Sequence, residues 1–174
     1  NLMTGVFKFD ALKRPGYLVD HQNLFTFCGV MSHRLLFVNA AKEMIKAGRK
    51  DRAEELLDLC MESVPECNFP LDISYVKTSN EYMILEIVRL YYMVGASEKA
   101  RDLAVRFLDK MMQTNLFWLE FYDLAEDDFK TSAGIVYYAA DILTEYGDKE
   151  TADAYEGRLK SLIKTASSLY TESN

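Results

Sequence analysis

Four carboxylates within six residues, Asp123, Glu126, Asp127 and Asp128, form the densest group of side chains capable of chemistry in this sequence. Carboxylates act as an acid and base pair only when burial or a neighbouring charge drives their pKa values apart. Nothing around them predicts such a pocket, and the run lacks the glycine punctuation of a calcium loop. It reads instead as an acidic turn that caps a helix starting near Thr131. His21 and His33 stand twelve residues apart with no Cys, Asp or Glu at metal-ligand spacing around them. Cys28 lies near His33, but on a helical stretch without the strained turn or oxyanion loop that a nucleophile needs. Three cysteines, Cys28, Cys60 and Cys67, cannot all pair and fit no zinc module. Cys60 falls on an apolar helix face as a small core residue, and a Cys60–Cys67 bridge would require an oxidising compartment. The expectation is therefore no catalytic residue, no metal and no cofactor.

The aromatic group Phe117, Trp118, Phe121 and Tyr122 allows two readings. It is a plug between helices, or it is an exposed anchor in which Trp118 and Tyr122 meet a partner. Bulk composition narrows the partner. The 174 residues carry a net charge of −7, with the basic group Lys42, Lys46, Arg49, Lys50 and Arg52 placed around a turn. Nucleic acid is excluded, because counterion displacement needs a continuous basic surface. An apolar share of 49% excludes disorder, and no run of eighteen apolar residues spans a membrane. The chain opens at Asn1 without methionine, the pattern expected of a mature product or an excised piece.

The elements that would position these groups announce themselves through glycine. Gly48, Gly95 and Gly147 are each followed five residues later by an alanine, Ala53, Ala100 and Ala152, between apolar-periodic stretches. Glycine suits the left-handed residue that ends a first helix, and alanine suits the start of a second helix pressed against it. Downstream stripes recur at steps of three and four: Ala53, Leu57, Cys60 and Val64; Ala100, Ala104, Phe107 and Met111; Ala152, Tyr155, Leu159, Leu162 and Ala166. Upstream partners have wider apolar faces, among them Leu36, Phe37, Ala40, Ala41, Met44 and Ile45 in the first. The expected fold is all-α, a tetratricopeptide-like stack of three helical hairpins forming a right-handed α-α solenoid. The hairpins fall at about 21–65, 78–113 and 131–170, behind an extended segment over 1–20 in which Phe7, Phe9 and Tyr17 point into the core. Asp20 would cap a helix from about His21, kinked at Gly29. Between hairpins, Pro65 to Lys77 reads as a loop and Thr114 to Lys130 as a helix extension.

In such a stack the first helices line the concave surface. Projecting the first hairpin's register onto the others puts Lys42, Tyr82, Arg89, Tyr92, Tyr137 and Asp141 there. Tyrosines beside a guanidinium suit an extended peptide, or a sugar stacked on a ring. The same residues read equally as solvated positions and packing between hairpins.

One further pattern is ordered along the chain. Gly5-Val6-Phe7-Lys8-Phe9 is followed by Tyr17 to Asp20, by Arg34, Phe37 and Ala40/Ala41, by Gly48, Ala53, Leu57 and Pro65, and by Tyr91, Tyr92, Gly95 and Ala100. This run resembles the soluble C-terminal region of a bacterial family of multi-spanning membrane proteins of unknown function whose membrane part is similar to protein O-mannosyltransferases. The resemblance covers Asn1 to Met111, and the third hairpin by architecture. It implies a noncatalytic domain on the extracytoplasmic (periplasmic) side of the cytoplasmic membrane, docking protein, peptide or glycan beside a membrane glycosyltransferase. The transfer chemistry would belong to absent upstream spans, so no catalytic residue carries over. The alternative is a stand-alone soluble peptide-binding scaffold, cytoplasmic or periplasmic.

Overall fold

A computed structural model describes residues 10, 12–16, 30–72 and 79–171, of which 30, 31, 79 and 166–171 are described by backbone alone. Among the described residues there are six helices and no strand: α1 (Val30–Lys46), α2 (Lys50–Ser63), α3 (Ser79–Val94), α4 (Ser97–Glu120), α5 (Tyr122–Glu145) and α6 (Lys149–Thr171). The opening segment with Phe7, Phe9 and Tyr17, the helix expected from His21, Cys28, the loop stretch 73–77 and the side chain of Ala166 lie outside the described residues. The chain divides into two compact units, residues 1–100 and 101–174.

The three glycines do what their backbone freedom allows. Gly48, Gly95 and Gly147 have φ of 73°, 97° and 86°, in the left-handed region. At each, two reverse hydrogen bonds close the helix end. Gly48 N–H donates to Ile45 O and Arg49 N–H to Met44 O; Gly95 and Ala96 repeat this on Tyr92 and Tyr91, and Gly147 and Asp148 on Thr144 and Leu143. These are three Schellman motifs, satisfying carbonyls that a helix terminus would otherwise strand. The residue after each glycine then opens the next helix. Its carbonyl accepts the N–H of Ala53, Ala100 or Ala152, at 3.0–3.2 Å. All three alanines are buried, because a larger side chain would hold the two helices of the turn apart.

In the first unit α1 packs on α2 and on α3, and α2 on α3. Phe37, Val38 and Ala41 from α1, Ala53, Leu56, Leu57 and Cys60 from α2, and Ile84, Ile87, Val88 and Tyr91 from α3 form its core. Leu36, expected on the apolar face, is 58% exposed. Phe37 and Ala41 take the packed side, and a residue 100° around the helix from Phe37 faces away. After α2 the chain turns at Pro65, and Phe69 and Leu71 plug back into the core. Asn68 Nδ2 donates to Leu12 O at 2.8 Å and to Arg14 O at 2.9 Å, holding the segment 12–16 against this loop.

In the second unit α5 packs on α6. Arg101 pairs with Asp148, Tyr155 reaches Val105 O and Asp109, and Arg158 pairs with Asp109. These rungs advance along α4 and α6 in the same sense, so the two helices run parallel. The acidic turn expected before Thr131 is absent. α5 starts at Tyr122, and Glu126, Asp127 and Asp128 are exposed on it. Ala125, Phe129, Ala133 and Val136 explain this, since they are buried at helical spacing and favour continuing the helix through the acids. The start is still irregular, with Ala125 at φ −134° and ψ 32°.

Candidate functional site

α1 and α3 share one face. Arg34 donates to Asn80 and Lys42 Nζ lies 2.7 Å from Glu86 Oε1, so both helices advance together and run parallel. Leu35, Asn39, Lys42 and Lys46 recur on α1 at steps of four, three and four. Tyr82, Glu86, Arg89 and Met93 do the same on α3. Tyr82 is 50% exposed and Met93 41% exposed, while Lys42, Glu86 and Arg89 are half-buried between them. The result is a band with aromatic and thioether surface at its ends and an ion pair across its middle. Such a band can stack on a planar group and exchange hydrogen bonds with a backbone; it offers no nucleophile with an adjacent base.

Of the expected surface residues, Lys42, Tyr82 and Arg89 fall on this band. Tyr92 does not: at 8% exposure its ring belongs to the core, one residue from the carbonyl that Ala96 caps. Tyr137, half-buried, and Asp141, exposed, lie four residues apart on α5 in the second unit. Trp118 and Tyr122 are half-buried, with the Phe117 ring edge-on to Trp118 at 4.9 Å and the Tyr122 ring edge-on to Phe129 at 5.5 Å.

Beneath the band is a polar clamp. Arg34, at 1% exposure, donates from Nη1 to Asn80 Oδ1 and from Nη2 to Phe69 O at 3.5 Å, while Asn80 Nδ2 donates to Leu71 O at 2.7 Å. The clamp fixes α1, α3 and the 69–71 loop to one another, and so sets the spacing of the band. Burial pulls the guanidinium down to about 10 and pushes the nearby Cys60 thiol up to about 12, so Arg34 is cationic and Cys60 neutral near pH 7. Composition alone flags neither Arg34 nor Asn80. The signal available was an arginine three residues before Phe37, on the apolar side of α1.

Two acids anchor second helices. Asp58 accepts from Tyr91 Oη at 3.0 Å and from Lys99 Nζ at 2.7 Å, and Lys99 also reaches Glu54 at 2.6 Å. Burial, then the Asp58 charge, hold the Tyr91 phenol well above its usual range. Asp109 receives Tyr155 Oη at 2.8 Å in the second unit, where burial and then this hydrogen bond push the phenol up to about 12. Asp148, buried just before α6, accepts from Thr151 Oγ1 at 2.9 Å and pairs with Arg101 Nε at 2.5 Å.

Among the described residues no group of His, Cys, Asp and Glu could hold a metal ion, and Cys60 and Cys67 are both free. Asp123, Asp127 and Asp128 are exposed, and Glu126 is held below the usual carboxylate range by hydrogen bonds from Lys130 and Tyr122. No described helix is long and apolar enough to cross a membrane. Comparison with protein-family models, with curated proteins and with solved structures finds no match for this chain.

Proposed function

We propose that this chain is a noncatalytic, tetratricopeptide-like binding domain that holds an extended peptide against the α1/α3 band. The observation that carries this reading is the threefold recurrence of one hairpin corner, with the same Schellman bonds and the same buried alanine, beside a face whose large side chains stay exposed. Corners of this kind pair successive helices into hairpins, and within the first unit they leave α1 and α3 side by side on one face. Tyr82 and Met93 offer apolar area, and Lys42, Glu86 and Arg89 offer charged hydrogen-bonding groups of both signs. An extended peptide uses all of these, with its side chains on the first set and its backbone on the second.

The resemblance of Gly5 to Phe9 and the segments after it to the membrane family supports a second part of the proposal. The domain would be the extracytoplasmic end of a glycosyltransferase-like membrane protein, docking protein or glycan there. A gene whose reading frame upstream of Asn1 encodes several apolar spans is then expected; a frame without them removes that part and leaves the binding domain standing alone.

Selection of dodecapeptides from a randomised display library against the full chain tests the band itself. Enriched peptides should bind the wild type and lose at least tenfold in affinity with Tyr82→Ala or Met93→Ala, both exposed and therefore tolerated by the fold. Failure to enrich any peptide, or binders indifferent to both substitutions, would overturn the reading.

A further inference from the structure

The corner between α4 and α5 carries a separate apolar surface. Leu116 is 50% exposed, Phe117 51%, Phe121 46% and Leu124 90%. The Phe117 and Phe121 rings touch each other at 5.2 Å, so they form one surface rather than scattered residues. Leu116 continues it into an open groove of about 560 Å³ between α4 and α6, whose apolar lining is completed by Met112 and Leu162. Gly157 leaves that side open, since a Cβ built there meets nothing within 4 Å. A contiguous apolar area of this kind marks an interaction site more often than a solvated face.

The charges around it select the occupant. Glu120, Asp123 and Asp127 are exposed and flank Phe121 and Leu124 along the chain, with Asp128 beside them. Lys130 is engaged by Glu126 at 2.8 Å, and Arg158, on the groove wall, is engaged by Asp109 and lies 4.9 Å over the Tyr155 ring. The corner end of this surface is therefore negative, while the groove end carries Arg158 and the exposed Lys164. A second copy of this acidic chain would bring like charges together, and an anionic bilayer would be repelled by the same acids.

We infer that the α4/α5 corner docks a basic amphipathic helix of a partner protein. Its apolar stripe covers Phe117, Phe121 and Leu116 and enters the groove, while its Lys and Arg residues meet Asp123, Asp127 and Asp128. From Met112 to Glu120 the α4 part of the surface runs eight helical steps, about 12 Å, which matches about two turns of a partner helix. This inference is independent of the α1/α3 reading, which concerns the other unit.

Trp118 is the only tryptophan of the chain and its ring lies against Phe117, so it reports occupancy directly. The full chain is titrated with a fourteen-residue peptide carrying Leu at the i, i+3, i+4, i+7 positions and Lys elsewhere, following Trp118 emission. Saturable binding with a blue shift is expected. It should weaken at least tenfold with Phe117→Gln/Phe121→Gln, and at least tenfold with Asp123→Lys/Asp127→Lys. A scrambled peptide of equal composition that lacks the stripe should bind at least tenfold more weakly. Circular dichroism of each variant verifies that the fold is retained. The inference is overturned by an unchanged Trp118 signal, by binding indifferent to either pair of substitutions, by tighter capture on phosphatidylserine vesicles, or by a Phe117-dependent dimer of the free chain.

Discussion

Replacing glycine by alanine should change the sign of its effect with position along this chain. Gly147 sits at φ 86° with open space around the site of a Cβ, so steric collision contributes nothing and the cost is conformational. A left-handed backbone costs an L-residue about 1–2 kcal/mol. Restricting the unfolded chain offsets about 0.4–1 kcal/mol of that. Gly147→Ala should therefore destabilise by about 0.5–1 kcal/mol. Gly134, inside α5, has the same open surroundings without a positive φ, so Gly134→Ala should stabilise by about 0.5–1 kcal/mol through helix propensity. Both lie in the second unit with Trp118, whose fluorescence during urea unfolding reads them by one probe. For a unit of this size each kcal/mol corresponds to about 4–8 °C in Tm. The reasoning fails if Gly147→Ala is neutral or stabilising, because the corner would then not need the left-handed residue that the hairpin reading assigns to it.

Other consequences follow from the buried polar groups. Asn80→Ala leaves the Arg34 guanidinium buried with its main partner gone and should cost about 3 kcal/mol in urea unfolding, more than Arg34→Met; a double-mutant cycle should return a coupling above about 1 kcal/mol. Asp148→Ala removes the acceptor shared by Thr151 Oγ1 and Arg101 Nε, and a loss of about 1–2 kcal/mol is expected, with Asp148→Asn retaining part of it. Stability should fall as pH rises from about 9 towards 12, because the unfolded chain releases the Cys60 proton and then those of Tyr91 and Tyr155 while the folded chain keeps them; Arg34, lowered to about 10 in the folded chain, acts in the opposite sense and offsets one of the three, leaving the proton difference between unfolded and folded states negative. Tyr155→Phe should flatten that decline, read as the urea midpoint against pH.

The hairpin corners were legible because their physics is local. A glycine that must adopt positive φ and an alanine that must admit a neighbouring helix are both fixed within six residues, and Gly48/Ala53, Gly95/Ala100 and Gly147/Ala152 all lie at such corners. The start of α5 was less legible. Composition marks Glu126 to Asp128 as a turn, whereas burial of Ala125, Phe129 and Ala133 on the opposite side keeps the helix running; the period of those three residues was the better signal. At the α4/α5 corner composition allows both a core plug and an exposed anchor, and only tertiary packing decides between them, leaving Phe117 and Phe121 half uncovered and Trp118 and Tyr122 half-buried. Tyr92 shows the opposite case: a shared register places it on the surface, and the packing of α3 puts its ring inside. Arg34 and Asn80 depend on a partner 46 residues away, which no local pattern encodes.

Hydrogen–deuterium exchange of the full chain, free and saturated with a display-selected peptide, tests the proposed binding face most directly. Slower exchange is predicted for amides of residues 35–46 of α1 and 82–93 of α3, where the stripe from Leu35 to Lys46 faces the one from Tyr82 to Met93. Protection confined to other segments, or no protection at saturating peptide, would contradict it.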